Sequence, residues 1–315
     1  MKTIVTTSIN IATEFIKKGE LVAFPTETVY GLGANVFNEE AIRKIFIAKK
    51  RPMDNPLIVH ISNLNQINLL AKKITPAAQK IIEKFFPGPI TIILKKNDVI
   101  SDLVSGGLDT IAIRMPDLEL TKKFIDKCGI PIAAPSANLS GSPSPTSWKH
   151  VYNDLNKRIA CILKGPSCKV GIESTVIDCT GKIPILLRPG FISYDELKEV
   201  LPTIKIYTKK SKEKPKSPGM KYKHYSPKAK VILINSIDEL TNYNINLDTS
   251  AYIGLEFVKG LKKVKRVKNL ADYAKNLFKF FRECDELKIK TIFCQRVPEI
   301  GIGLALMNRL TKAAS

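Results

Sequence analysis

The residues best suited to chemistry are polar side chains placed at the ends of apolar runs. In FPTETVYGLGAN (24–35), Thr26, Glu27, Thr28 and Tyr30 precede two glycines, which let backbone approach a ligand closely. AKKRPMDNPLIVH (48–60) crowds Lys49, Lys50 and Arg51 ahead of Pro52 and Pro56, then places His60 in an apolar run. Cations suit the last turn of a helix, where they meet the negative end of its dipole. That accounts for the charges but not for the two prolines or the histidine. Arg114 closes TIAIR just before Met115 and Pro116, where its planar donors match the two oxygens of a carboxylate. PSANLSGSPSPT (135–146) sets small hydroxyl residues in a proline-stiffened loop, suited to a sugar or a phosphate if it lies beside strand ends, and otherwise a plain connector. ESTVID (173–178) and LRPG (187–190) add a hydroxyl pair and Arg188. A lone histidine in an apolar strand is more often a satisfied core residue than a ligand. It belongs to a site only if Thr28, His60, Arg114 and Ser174 converge.

These positions need a scaffold, and the pattern supplies one. Ser8 caps a helix with Ile11, Ala12, Phe15 and Ile16 at helical spacing, and Gly19 stops it. Asn38 caps a second, ending in the Lys49–Arg51 cluster because Pro52 cannot continue it. LVAFP, LIVHI, TIILK, TIAIR, PIAAP, STVID and ILLR read as strands. Several follow one another with no helix between, which predicts a mixed sheet. Ser193 with Glu196 forms a capping box for one last helix, ending near Pro202. The organisation is then a catalytic unit over 1–202, a Pro/Lys-rich linker over 203–230 and a small α/β domain over 231–315. GIG at 301–303 resembles a dinucleotide fingerprint fragment, but Leu306 takes the third glycine position, so it reads as a helix start.

Composition narrows the partners. The 315 residues carry a formal charge of +21, of which 205–230 holds +9 and 231–315 holds +5, leaving +7 for the rest. Such a balance favours polyanions such as nucleotides or RNA, although scattered lysines also serve as a solvated surface. The six cysteines contain no C-x-x-C pair and are not spaced with the three histidines, so neither a zinc site nor a disulfide framework is expected. No Walker loop, nucleophile elbow or zinc-protease pattern occurs. The N-terminus lacks the apolar stretch of a signal peptide, and no apolar run is long enough to span a bilayer. The expected location is the cytoplasm, with reduced thiols.

Taken together, FPTETVYGLGAN, KKRPMDNPLIVH, FPGPITIIL, TIAIRMP, APSANLSGSPSPT, ESTVID, LLRPG, SPGMKYKHYSP and GIGLALMNRL resemble the threonylcarbamoyl-AMP synthases of the YrdC type, in their long two-domain form. They run from residue 21 to 310 in that family's order; Ser226 departs from it, where alanine is more usual after the His-Tyr pair. The resemblance implies a YrdC-like twisted mixed sheet with flanking helices, followed by a small Rossmann-like domain. It implies synthesis of L-threonylcarbamoyl-AMP from L-threonine, bicarbonate and ATP with release of pyrophosphate, for threonylcarbamoyladenosine modification of tRNA. A separate complex would complete the transfer. Carried over by position, Thr28, His60, Thr110, Arg114, the backbone at Ala134, and Ser174 would hold threonine. Arg51, Asn55, Ser136, Ser144, Arg188 and Tyr225 would hold ATP, with Lys49 beside Arg51. Magnesium would arrive with the triphosphate and need no protein cage. The segment 217–227 would then fold over the nucleotide as a lid. Two other readings stand beside this one: an RNA-binding protein without nucleotidyl transfer, and a carbamoyltransferase of the hydrogenase-maturation type, disfavoured by the absence of zinc motifs and of an acylphosphatase-like segment.

Overall fold

The computed structural model describes residues 2–208 and 225–315. Most of the lid segment, and with it the central part of the linker, lies outside the described residues. The chain opens with β1 (Ile4–Thr6), α1 (Ile9–Lys17), β2 (Val22–Phe24), β3 (Gly31–Asn35) and α2 (Glu39–Lys49). Next come β4 (Ile58–His60), α3 (Ile67–Leu70), α4 (Pro76–Phe85), β5 (Ile90–Lys95), α5 (Asp102–Ser105) and β6 (Thr110–Arg114). After these run α6 (Glu119–Cys128), β7 (Ile132–Ala134), α7 (Trp148–Leu155), β8 (Cys161–Leu163), β9 (Thr175–Asp178) and β10 (Ile185–Arg188). The first unit ends with α8 (Tyr194–Val200) and β11 (Lys205–Ile206).

Caps set the helix starts. Ser8 accepts from the Ile11 N–H and Asn38 from that of Ala41, each satisfying a donor that the first helical turn leaves open. Ser193 and Glu196 complete the reciprocal capping box. The eleven strands form one mixed sheet in the order β1-β8-β2-β3-β7-β4-β6-β5-β9-β10-β11. Register decides which side chains meet. The parallel pair β4–β6 places His60 directly opposite Arg114. Because β5 runs antiparallel to β6 and parallel to β9, the start of β5 and the start of β9 lie beside the end of β6. Antiparallel β10 brings its last residue, Arg188, back to the same place. One rim of the sheet therefore collects His60, Arg114, Ser174 and Arg188.

The second unit is a four-stranded parallel sheet in the order β12-β15-β13-β14, built from β12 (Lys230–Ile234), β13 (Ser250–Gly254), β14 (Lys263–Arg266) and β15 (Thr291–Gln295). It carries α9 (Leu270–Glu286) and α10 (Ile302–Ala314). The helix start expected at GIG is α10, preceded by Gly301 at φ 56°. The two units share a core: Val29, Val170 and Ile172 of the first are buried with Phe278 and Phe281 of the second and with Tyr225 of the linker. Gly171 lets this happen. At φ +85°, it sits so close to α9 that a Cβ there would lie 2.4 Å from the Lys275 Cα and 2.6 Å from the Ala274 carbonyl oxygen.

Gly171→Ala tests that close approach. The left-handed backbone alone disfavours alanine by about 1–2 kcal/mol, and the backbone clash adds to it. The denaturant midpoint of the full chain should fall by at least that equivalent; an unchanged midpoint would mean that α9 need not pack so near.

Candidate active site

The strand ends enclose an open cleft, the kind of concave, part-polar place that small ligands favour. Of the residues expected to hold threonine, His60, Arg114, Ala134 and Ser174 line it, as do Arg51, Ser136, Ser144, Arg188 and Tyr225 of the nucleotide set, together with Lys49. Thr28 is not in the lining; its hydroxyl accepts from Arg114 Nη1 at 2.8 Å. Two further expected residues, Thr110 and Asn55, are not brought to the lining. Thr110 begins β6 while Arg114 ends it, which puts them about 13 Å apart along an extended strand. Asn55 is buried, and its backbone carbonyl accepts from Arg51.

The opening cluster is more than a solvated helix end. Lys49 is buried at the end of α2, and its ammonium donates to the carbonyls of Ser136 (2.5 Å) and Asn138. Burial, reinforced by Arg51, holds its pKa well below the ordinary lysine value. Lys50 takes the left-handed cap conformation, turning the chain so that Arg51 enters the cleft wall. Arg51 then clips its own proline loop, with Nη2 donating to Asn55 O at 3.2 Å and Pro56 O at 3.0 Å. The prolines stiffen the loop and the guanidinium locks it.

His60 is buried between strands, edge-on to Phe24 with ring centroids 5.5 Å apart. Its Nδ1 lies 3.2 Å from Ile58 O, and the backbone of Ile132 also hydrogen-bonds the ring. Burial first, then the charge of Arg114, lower the His60 pKa to about 3. The ring is neutral at physiological pH. Arg114 is held on three sides, by Glu27 Oε1 at 2.6 Å, Thr28 at 2.8 Å and Gly88 O at 3.3 Å. That uses three of five guanidinium N–H groups, so two are left for a ligand carboxylate.

The hydroxyl loop is a fixed wall rather than a loose connector. Tyr30 N donates to Pro145 O and Ala137 N to Tyr30 O, both at 2.8 Å. Ser144 donates to the buried Glu173 Oε1. Burial pushes the Glu173 carboxyl up, but Arg309 and Arg188 outweigh it and hold the pKa below the usual range. Arg188 spans Ser174, donating to its carbonyl at 3.0 Å and its hydroxyl at 3.1 Å, while Thr91 meets the same hydroxyl at 2.8 Å. Tyr225 returns from the linker at φ 69°, stacks on Phe278 with centroids 5.4 Å apart and takes a hydrogen bond from Arg188. Sequence reasoning passed over Glu173 and Arg309. A carboxylate directly before Ser174 in an apolar strand was the available signal for the first; nothing local marks the second.

Residues 14–190 match the family described as telomere recombination (Sua5/YciO/YrdC), and 192–315 match the threonylcarbamoyl-AMP synthase C-terminal domain. The chain belongs to the threonylcarbamoyl-AMP synthase family. It is 44% identical to the threonylcarbamoyl-AMP synthase of Pyrococcus abyssi, over 97% of this chain and 94% of the relative. The enzyme of that name from Bacillus subtilis is also 44% identical, over 96% and 92%. The crystal structure of P. abyssi Sua5 complexed with L-threonine superposes with a TM-score of 0.92 at 43% identity, covering 99% of this chain and 97% of that one.

Two predictions follow from the charges. Arg51→Lys keeps the charge but loses the planar clip on Asn55 and Pro56, so the KM for ATP should rise about tenfold or more. Arg51→Ala should raise it further while threonine affinity holds; unchanged kinetics in both variants would return Arg51 to a structural role. For His60, the unfolded ring titrates near the ordinary 6.5 and the folded ring near 3. Between those values the unfolded state binds the extra proton, so stability is full above 6.5 and falls with decreasing pH, by up to about 1.4 kcal/mol per unit. His150, lowered to about 4 chiefly by burial, adds the same sign. His60→Gln should flatten this acid slope in pH-dependent unfolding, and an unaltered slope would show that the ring is already charged in the fold.

Proposed function

We propose that the cleft joins L-threonine, bicarbonate and ATP into L-threonylcarbamoyl-AMP with release of pyrophosphate, the synthase activity of the family. The observation that carries the reading is register. His60 and Arg114 face each other across β4 and β6, and they open onto the same cleft as Arg51, Ser144 and Arg188. An amino-acid site and a polyphosphate site are thereby contiguous. Arg114, steadied by Thr28, offers its two remaining N–H groups to the threonine carboxylate, and Ser174 and neutral His60 read the rest; the Ala134 backbone borders the same end. Arg51, Ser136, Ser144, Arg188 and Tyr225 take the nucleotide. The P. abyssi protein complexed with threonine supports the first assignment by likeness.

The chemistry suits positioning. The threonine nitrogen bonds the bicarbonate carbon as a C–O bond breaks and water leaves, giving the carbamate; a carbamate oxygen then bonds the α-phosphorus as the bond to pyrophosphate breaks and pyrophosphate departs. Negative charge gathers on the phosphoryl oxygens and the leaving group, where Arg51 and Arg188 already stand desolvated and hydrogen-bonded. Among the described lining residues the one carboxylate is Glu173, and both of its oxygens are engaged. The donor set does not fit a cation held by the protein, so magnesium belongs to this reading as a companion of the triphosphate and no step is routed through it. A role confined to RNA binding would call for exposed cations; the ones gathered here are buried. The product would pass to a separate threonylcarbamoyl-transfer complex, with tRNA meeting the basic surface. A cytoplasmic location accords with six free, buried cysteines among the described residues, and no helix there is long and apolar enough to cross a membrane.

Pyrophosphate release from ATP should depend on both threonine and bicarbonate. Serine loses one methyl contact, about 1–3 kcal/mol, and should be a poor substitute rather than an inert one. Equal turnover with alanine would remove the claim that the hydroxyl is read, and release without any amino acid would remove the reaction itself.

A further inference from the structure

Arg309 is the largest fully buried side chain among the described residues. It comes from α10 of the small domain, yet its ion pair and its shortest hydrogen bond are with the first unit. Nε donates to Glu173 Oε2 at 3.1 Å and Nη1 to Pro189 O at 2.5 Å, while the guanidinium carbon lies 5.6 Å from the centroid of the Tyr225 ring. The remaining nitrogen, Nη2, is buried with no hydrogen-bond partner among the described residues. Each contact backs a residue of the cleft. Glu173 holds the Ser144 hydroxyl on its other oxygen, Pro189 follows Arg188, and Tyr225 lies between Phe278 and the guanidinium. A second arginine works alongside: Arg282 of α9 donates to Pro143 O, the residue before Ser144, and pairs with Asp154 at 2.7 Å.

A tether between domains has no need of a buried, incompletely bonded guanidinium. Taking the charge out of water is expensive, and an apolar contact of the same size would hold two domains together at least as well. What a guanidinium adds is direction, because its planar donors fix the carboxylate that fixes Ser144. We propose that Arg309 is a positioning residue for the nucleotide, acting through Glu173 on Ser144 and through its ring contact on Tyr225, so that the small domain forms the back wall of the ATP site. The inference rests on the reading that this cleft binds ATP. It assigns to the small domain a part in the reaction that ends at Ser144 and Tyr225 and does not reach the threonine side, where Arg114, His60 and Thr28 are held by the first unit alone.

The test is steady-state pyrophosphate release by the full chain with ATP and threonine varied separately, alongside thermal unfolding. Arg309→Met should raise the KM for ATP about tenfold or more, the size of one lost charge-assisted hydrogen bond, and leave the KM for threonine within about twofold. Arg309→Lys should recover part of the loss. Glu173→Gln keeps an oxygen for Ser144 but no charge for Arg309, and should move the same KM in the same direction. Glu286→Ala, which removes an exposed cross-domain hydrogen bond to Asn153 between residues that do not line the cleft, should move neither. A fall in turnover that merely tracks the folded fraction, with both KM values unchanged, overturns the proposal, as does an equal rise in both. Should Arg309→Met not fold, an unchanged ATP dependence in Glu173→Gln overturns it alone. If the unsubstituted protein releases no threonine-dependent pyrophosphate, the functional reading fails instead. Equilibrium binding of ATP to that protein and to Glu173→Gln then decides the positioning role: weaker binding supports it and equal binding overturns it.

Discussion

The constraint on which the structure turns is a surplus of buried positive charge around one cleft. Lys49, Arg51, Arg114, Arg188 and Arg309 are each no more than 8% exposed, and among the described residues two buried carboxylates, Glu27 and Glu173, form ion pairs with Arg114 and Arg309. A desolvated cation costs several kcal/mol unless its donors are satisfied. The fold satisfies them with backbone. Carbonyls of Ser136, Asn138, Asn55, Pro56, Gly88, Ser174 and Pro189 all accept from these side chains. Backbone carbonyls are free to do this only where strands and helices end. The irregular segments at the rim of the sheet are thus a structural requirement of the charges, and their proline and glycine content follows from it.

Such an arrangement has a chemical consequence. Hydrogen bonds to carbonyls orient a cation without neutralising it, so the cleft retains its field when empty and meets a polyanion with little reorganisation. The same field explains why His60 is neutral. Burial and the nearby Arg114 both oppose a further proton, and the ring is left to act through a hydrogen bond instead of a charge. Glu27 and Glu173 serve as counter-ions behind the cations, not as bases facing the ligand: Glu27 binds Arg114, and Glu173 divides its oxygens between Ser144 and Arg309. A site with this composition catalyses by placing reactants and absorbing charge.

Local chemistry was legible in the sequence wherever one residue's neighbours decide its fate. Ser8, Asn38 and the Ser193–Glu196 box announce helices because a cap acts within one turn. The strands ending in His60 and Arg114 announce themselves because a polar residue closes an apolar run. GLGAN carries no apolar run to mark it, yet it forms β3, where Gly33 lets the Phe24 ring and Ile132 pack against bare backbone and a Cβ would come within 2.8 Å of both. The same limit governs the site. Thr110 and Arg114 share a strand and a face, but period alone does not say which end of that strand opens on the cleft. Glu173 and Arg309 are 136 residues apart, and no pattern within either segment foretells the pair. The family resemblance supplied the positions; the register supplied the reason that most of them meet.

The hydroxyl loop shows how these effects combine. It is fixed on one side by backbone bonds to Tyr30, on another by the ammonium of Lys49, and from behind by Arg282 and, through Glu173, Arg309. Ser226, within the linker, donates its backbone N–H to Gly141 O at 3.0 Å. A segment of small hydroxyl residues has little apolar surface with which to hold its own shape, so its order must come from outside. Two of its supports are arginines of another domain. The loop that would meet phosphate and ribose is therefore only as well placed as the contact between the two units, and a shift of α9 or α10 is transmitted to Ser144 through single hydrogen bonds. Catalysis by placement and docking of the small domain are, in this molecule, one physical problem.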